Sequence, residues 1–258
     1  MRAKLQGGRF RWLNEELYTS RGEEAFRLMQ EQPDLYEQYH EGFRSQTQGW
    51  PVQPVELAIA WLKGSPTSLV VADFGCGDAK IAASVKQTVH SLDLVAGAPG
   101  VLACNMAATP FESGSIDVAI FCLALMGTDY PAFLVEAHRV LRPGGWLWIA
   151  EVRSRFGAAA TAPADSGKPV QRSSSSSSRD ATPRSGSSSE NASQGSSAKE
   201  AQEAGAFVAA LERLGFKLKR RDMANKMFAV FELQKSRERK GQEQIQWPEL
   251  KPCLYKRR

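Results

Sequence analysis

The chain has 258 residues, of which 42% are hydrophobic and 24% charged, proportions that suit a soluble globular protein. No apolar run approaches the roughly 20 residues needed to cross a bilayer, which excludes a membrane-spanning helix and leaves no membrane partner to expect. A net charge of +5 and a pI near 9.1 permit a nucleic-acid partner without requiring one.

The first residues, MRAKLQGGRFRWLNEEL, lack the apolar segment of a signal peptide. Residues 10–64 read mostly helical. EEAFRLMQ and PVELAIAWLK carry apolar residues at helical spacing, and Pro51 and Pro54 mark the start of the second. Between them lies DLYEQYHEGFRSQTQGWP, dense in aromatic and polar groups. Residues 1–64 are therefore expected to form an N-terminal helical cap.

From residue 69 strands and helices alternate. Val70–Phe74 reads as a strand, 79–87 as its helix, Val89–Leu94 as a second strand and Val101–Cys104 as a short third. The segment 116–123, IDVAIFCL, is nearly continuous in apolar character, as a central strand should be. PAFLVEAHRVL follows as a helix, PGG as a breaker, and Trp146–Val152 as a fifth strand. This alternation predicts a parallel sheet with helices on both faces.

Residues 157–206 break the pattern. They include RSSSSSSRD and SGSSSENASQGSS, with Val170 as the only large aliphatic residue and no aromatic residue. Such a segment buries too little apolar surface to offset its ordering entropy, and it is expected to be a disordered insertion. Order returns with GAFVAALERLGFKLKRRD, a helix and a strand, and with MFAVFEL, a further strand. The main domain is thus assigned to 65–156 and 207–235. Residues 236–258 form a basic tail whose Trp247, Cys253, Leu254 and Tyr255 suggest partial docking. Basic residues are dense in RAKLQGGRFR, in 217–226, and in KSRERK with the terminal YKRR; aromatics nearby shift the reading towards RNA. Cys76, Cys104, Cys122 and Cys253 form no CxxC pair, so no metal site is expected; three lie in or beside strands and read as buried thiols of a reducing compartment.

In an open parallel sheet, ligands bind beyond the carboxyl ends of the strands. The first strand ends in Asp73, Gly75 and Gly77. Glycines there admit a ligand close to the backbone. The third glycine of the dinucleotide fingerprint is replaced by Lys80, which weakens a nicotinamide reading. A carboxylate at Asp73 repels a pyrophosphate and attracts an ammonium. Adenosine at one end and ammonium at the other describe S-adenosylmethionine. Asp93, ending the second strand, is placed to accept two ribose hydroxyls, with a helix cap as its alternative role. Asn105 and Met106 are placed to read and pack an adenine, and Phe121-Cys122-Leu123 to line the transferred group.

In DFGCGDA, SLDL, CNMA, PFESGSIDVAIFCLAL and AHRVLRPGGWLWIAEV the chain resembles a class I S-adenosylmethionine-dependent methyltransferase. More narrowly, GGRFRWLNEELY, YHEGFRSQTQGWPVQPV, VVADFGCGD, FCLALMGT, RVLRPGGWLWIAEVRSRF and KPCLYKRR resemble the ribosomal RNA-processing protein 8 (nucleomethylin) family. The resemblance implies a Rossmann-like α/β fold: a seven-stranded, mostly parallel sheet with helices on both faces and the helical cap. It implies S-adenosyl-L-methionine as cofactor, a nucleolar location within the nucleus, and methylation of N1 of an adenine in large-subunit ribosomal RNA. By resemblance His40, Gly75, Asp93, Asn105, Met106 and Cys122 fall on cofactor-binding positions. Read without the family, His40 is a packed structural residue; with it, His40 belongs to the cap closing over the cofactor. The family usually carries aspartate at position 105 and a long basic N-terminal extension, and it lacks the serine-rich insertion.

Methyl transfer from a sulfonium is an in-line displacement in which the protein supplies alignment and water exclusion, with no metal needed. Enzymes acting on the exocyclic amine of adenine usually carry Asn/Asp-Pro-Pro-aromatic after the fourth strand. FCLALMGTD stands there instead, which is compatible with a ring nitrogen as target. No general base is identifiable; Asp129 is a candidate, with a helix cap as its alternative. Two other functions stay open: a cofactor-binding subunit of a nucleolar chromatin-silencing assembly, with silencing proteins as partners, and a methyltransferase acting on protein or a small molecule.

Overall fold

The computed structural model describes residues 2–156, 204–236 and 245–253, with side chains from residue 7. The serine-rich stretch to residue 203, most of KSRERK and the terminal YKRR lie outside them.

Four helices come first: α1 (Arg2–Thr19), α2 (Gly22–Glu31), α3 (Asp34–Thr47) and α4 (Pro54–Lys63). The sheet then opens with β1 (Val70–Phe74), α5 (Lys80–Ser84), β2 (Thr88–Asp93), β3 (Val101–Ala103), β4 (Ile116–Cys122), α6 (Tyr130–Val140) and β5 (Leu141–Val152). A single 3₁₀ turn, Arg153–Phe156, follows. Beyond the serine-rich stretch come α7 (204–214), β6 (Phe216–Asp222) and β7 (Phe228–Lys235).

The seven strands lie in the order β3-β2-β1-β4-β5-β7-β6. All are parallel except β7, which runs antiparallel to both β5 and β6. The chain lays β1, β2 and β3 outward to one edge, then returns to place β4 on the other side of β1. This reversal leaves a crevice at the carboxyl ends of β1 and β4, where open α/β sheets bind ligands.

Period-two alternation divides the strand side chains between two cores. Ala72, Phe74, Ala119 and Phe121 face α6 and α7, meeting Phe133, Leu134, Phe207 and Leu211. Val71, Val118, Ile120 and Trp148 face α4 and α5, meeting Ile59, Leu62 and Ile81. Both faces are covered, which explains why IDVAIFCL shows no polar alternation. A third core, built on Phe10, Leu13, Met29, Leu35 and Tyr39, joins α1, α2 and α3 and packs on Leu94 and Met126 beyond the strand ends. Of the expected 1–64 cap, α1–α3 sit over the crevice, whereas α4 belongs to the sheet layer.

Several expected boundaries move. The helix read over 79–87 ends at Ser84, because Val85 is extended and the Gln87 amide turns inward to donate to Leu62 O at 2.6 Å. The last strand before the insertion starts at Leu141 rather than Trp146: Leu141 already pairs with Ile116, and PGG occupies a register shift. Residues 204–206, read as insertion, are helical, and Ala204 is fully buried. The cysteines invert the expectation: Cys76, Cys104 and Cys122 are only partly buried, and Cys253 is buried.

The tail segment 245–253 lies against the domain. Trp247 meets the Tyr130 ring edge-on at 5.9 Å, Leu250 joins the α6/α7 core, and Cys253 O accepts from Asn14 Nδ2 at 2.8 Å.

Candidate cofactor and substrate site

The loop after β1 is held by two N–H groups on one acceptor. Gly75 N and Cys76 N both donate to Leu92 O at 2.9 Å, tying the turn to β2. Gly75 and Gly77 both have positive φ, 75° and 54°, which favours glycine over any other residue. A Cβ at Gly75 would sit 2.6 Å from Ala124 Cβ, and one at Gly77 would sit 3.2 Å from His40 Cε1. The two glycines therefore keep open a space that side chains would fill.

That space is a cavity of about 390 Å³, within the range of small-molecule sites. Asp73, Gly75 and Gly77 line it from β1 and its loop, and Asp93 from the end of β2. Asn105 and Met106 line it from beyond β3, Cys122 from the end of β4, and His40 from the cap. These eight positions and Leu123 thus face one cavity, whereas Phe121, expected to line it too, points the other way into the core with α6 and α7 and is fully buried.

Asp93 holds the floor. Its Oδ2 accepts from Gly77 N and its Oδ1 from Leu94 N, each at 2.7 Å. Burial raises its pKa, opposed first by the nearby His40 and then by these two N–H groups. Burial likewise lowers the pKa of His40, opposed by Asp93 and Asp78. In the closed cavity both groups are pushed towards their neutral forms. Asp73 is 2% exposed, and its carboxylate has no hydrogen-bond partner among the described residues. Burial, then repulsion from Asp93, pushes its pKa up to about 7. A buried carboxylate without a partner favours a cation beside it.

The cap closes the cavity. Tyr36 and His40 lie one turn apart on α3, their rings 4.3 Å apart, and Tyr36 Oη donates to Gly77 O at 3.4 Å. Arg44, further along α3, pairs with Asp78 at 2.9 Å on the exposed rim. Lys80, at the place of the missing glycine, pairs with Glu56 of α4. Asn105 Oδ1 accepts from Ala107 N at 3.0 Å, so one lone pair of the amide oxygen secures its own loop and a second remains.

Asp129 is neither in the cavity lining nor a cap for its own helix α6, which has no side-chain cap. Its Oδ1 accepts from Gly22 N, at the start of α2, at 2.8 Å. The expectation of a cap holds for a helix 107 residues away.

Sequence reasoning missed a buried ion pair that lies behind the cavity lining and holds the loop after β4. Glu151, at the end of β5, and Arg155 form an ion pair at 2.8 Å with side-chain exposures of 0% and 1%. Glu151 Oε1 accepts from Leu125 N at 2.8 Å, and Arg155 Nη2 donates to Leu125 O at 2.6 Å. Arg155 Nε also donates to Lys251 O of the tail at 3.0 Å, and its guanidinium lies over the Tyr18 ring of α1. EVRSRF was visible as a segment, but a charge pair beside a strand end carries no sign of burial. Tyr36 was visible only as part of an aromatic run.

A family model described as "Hypothetical methyltransferase" matches residues 1–164 and 196–258. The chain is 45% identical to "Ribosomal RNA-processing protein 8" of Arabidopsis thaliana over 259 residues, covering 100% of this chain and 77% of that protein. The chain belongs to the ribosomal RNA-processing protein 8 family of methyltransferases. A further member of the family, the Mus musculus protein of the same name, is 39% identical, and the chain spans 47% of its length. The "25S rRNA (adenine(645)-N(1))-methyltransferase" of Schizosaccharomyces pombe is 37% identical, with 100% of this chain and 71% of that protein covered. The sheet order, with its single antiparallel strand β7, is the class I methyltransferase arrangement expected from the family.

Proposed function

We propose that this protein transfers a methyl group from S-adenosylmethionine to N1 of an adenine in large-subunit ribosomal RNA, and that it works in the nucleolus, where that RNA is made. One observation carries the reading: a single cavity at the reversal of strand order brings together a partnerless buried carboxylate, Asp73, and a second acid, Asp93, in a chain related to an adenine-N1 methyltransferase of ribosomal RNA.

The residues present suit the cofactor. Asp93, anchored by Gly77 and Leu94, keeps acceptor capacity for ribose hydroxyls. Asp73 supplies the anionic partner for an ammonium. Asn105 and Met106 offer an acceptor and a soft packing surface for adenine, and His40 with Tyr36 covers the site and excludes water. When bound, S-adenosylmethionine supplies a methyl group on a positively charged sulfur.

The absence of an identifiable base fits a ring nitrogen. N1 of neutral adenine already carries a lone pair; when it bonds to the methyl carbon, the carbon–sulfur pair stays with sulfur and the positive charge passes to the ring. No proton has to leave, so the protein's task is alignment. N1 lies on the Watson–Crick edge, so a paired target base must first be opened, at a cost of a few kcal/mol. Among the described residues, the basic positions Lys217, Lys219, Arg221 and Lys226 are exposed on β6 and the following turn and offer phosphate contacts.

The test is transfer of labelled methyl from the cofactor to large-subunit ribosomal RNA, mapped as a reverse-transcription stop. A stop at one adenine is expected. Cofactor-loaded protein that leaves the RNA unlabelled overturns the reading.

A further inference from the structure

The segment after β4 is unusually constrained. Leu123 adopts φ +61°, a left-handed conformation that a branched aliphatic residue seldom takes. Such strain persists only where the surroundings enforce it, and it clusters at functional sites. Here the surroundings are visible. Leu123 N donates to Ala150 O at 2.8 Å, Met126 N to Ala124 O at 2.8 Å, and Leu125 is gripped at both its N–H and its C=O by the Glu151–Arg155 pair. One peptide unit is left over. Among the described residues, neither the carbonyl of Leu123 nor the N–H of Ala124 has a hydrogen-bond partner. Both residues line the cavity, directly after Cys122.

We propose that the Leu123 carbonyl reads the target base by accepting a hydrogen bond from its exocyclic amine, and that Glu151 and Arg155 are positioning residues that hold this carbonyl in place. The proposal rests on the adenine-N1 reading above. The amine of adenine is bonded to C6, the neighbour of N1. A base whose N1 points at the cofactor therefore carries its amine beside N1, within reach of an acceptor at the cavity wall. A guanine offers a carbonyl at the same place and meets the Leu123 oxygen with repulsion. The free carbonyl thus favours adenine with no side chain involved, which accounts for the missing polar motif after β4. The ion pair supplies what a flexible loop lacks. Its two ends hold Leu125, two residues from the reading carbonyl, and its burial leaves no water to compete for those bonds.

The experiment compares RNA bearing adenine at the target with RNA bearing purine, which lacks the amine, in the wild type and in Arg155→Lys. The ratio of kcat/KM for the two substrates is the readout, because differences in intrinsic nucleophilicity cancel between enzymes. The ratio is expected to fall about three- to tenfold in Arg155→Lys, the worth of one hydrogen bond, with S-adenosylhomocysteine affinity changed less than about threefold. Leu123→Gly, which relaxes the left-handed turn and removes a side chain only partly buried against Tyr18, Val152 and Cys253, is expected to lower the same ratio and serves if Arg155→Lys does not fold. An unchanged ratio in a folded variant overturns the proposal while leaving the N1 reading intact. Wild-type protein that binds S-adenosylhomocysteine and methylates neither RNA overturns both.

Discussion

The carboxylate of Asp129, at the start of α6, accepts the backbone N–H of Gly22, at the start of α2, at 2.8 Å. A residue of the sheet layer therefore caps a helix of the lid. Thr128 N, beside it, donates to Ser20 O at 3.0 Å, Thr128 Oγ1 donates to the same oxygen at 3.4 Å, and Arg21 pairs with Asp129 at 3.9 Å, so the loop after β4 is tied to the α1–α2 junction at several points. Replacing Asp129 by alanine is expected to cost about 1 kcal/mol of stability, the usual worth of a helix N-cap. The loss should fall on α2: hydrogen exchange at its first-turn amides should accelerate while β1 and β4 stay protected. Equal acceleration across the sheet would show that the contact does not belong to the lid.

Asp73 gives a prediction in pH. Its pKa, 3.8 in an unfolded chain, is pushed up to about 7 by burial and by Asp93. Between these values the folded protein holds the proton more tightly than the unfolded chain does. The group's contribution to stability is therefore greatest in acid and declines as pH rises from about 4 to about 7. Asp73→Asn should remove that decline, so the ligand-free variant melts higher than the wild type at pH 8 and the two converge near pH 4. S-adenosylhomocysteine affinity at pH 8 should fall at least about tenfold in the same variant, since a bond to a charged partner is lost. A thermal melt series and calorimetry check the two halves separately.

Asp93→Ala removes the acceptor of two backbone N–H groups as well as a cavity wall. Calorimetry with S-adenosylhomocysteine should show a loss of about 1–3 kcal/mol, the penalty for leaving buried polar groups unpaired. An affinity equal to that of the wild type would remove Asp93 from the site.

Gly75 and Ala124 both line the cavity and lie against each other. Gly75→Ala places a methyl 2.6 Å from Ala124 Cβ and strains a backbone at φ +75°. Binding and stability should both drop. Adding Ala124→Gly relieves the contact but not the backbone strain, so the double variant should recover part of the binding and less of the stability. Full recovery of both would mean that the left-handed backbone carries no cost.

The central sheet and the cavity's lower wall were legible because they rest on local patterns. Apolar runs ending in Asp73 and Asp93 marked strand ends, and Gly75 and Gly77 marked a close approach. Parallel topology then brings strand ends together without further information. What stayed hidden depends on contacts between distant segments. The end of α5 is set by Gln87 reaching Leu62. The start of β5 is set by a pairing of Leu141 with Ile116 that runs through a proline and two glycines. The placement of Tyr36 over Gly77 joins two elements whose separation the sequence does not encode in any period. Arg155 misleads most: arginine is among the residues least often buried, and only the convergence of Glu151, Leu125, Lys251 and Tyr18 makes a dry site tolerable for it.

Asn14 and Cys253 meet although 239 positions separate them, and Arg155 Nε donates to the backbone of Lys251. The docked segment thus works as a clasp behind the site: loosening residues 245–253 would strip partners from Asn14 and from Arg155, and through Arg155 would slacken the grip on Leu125, without removing any side chain that lines the cavity.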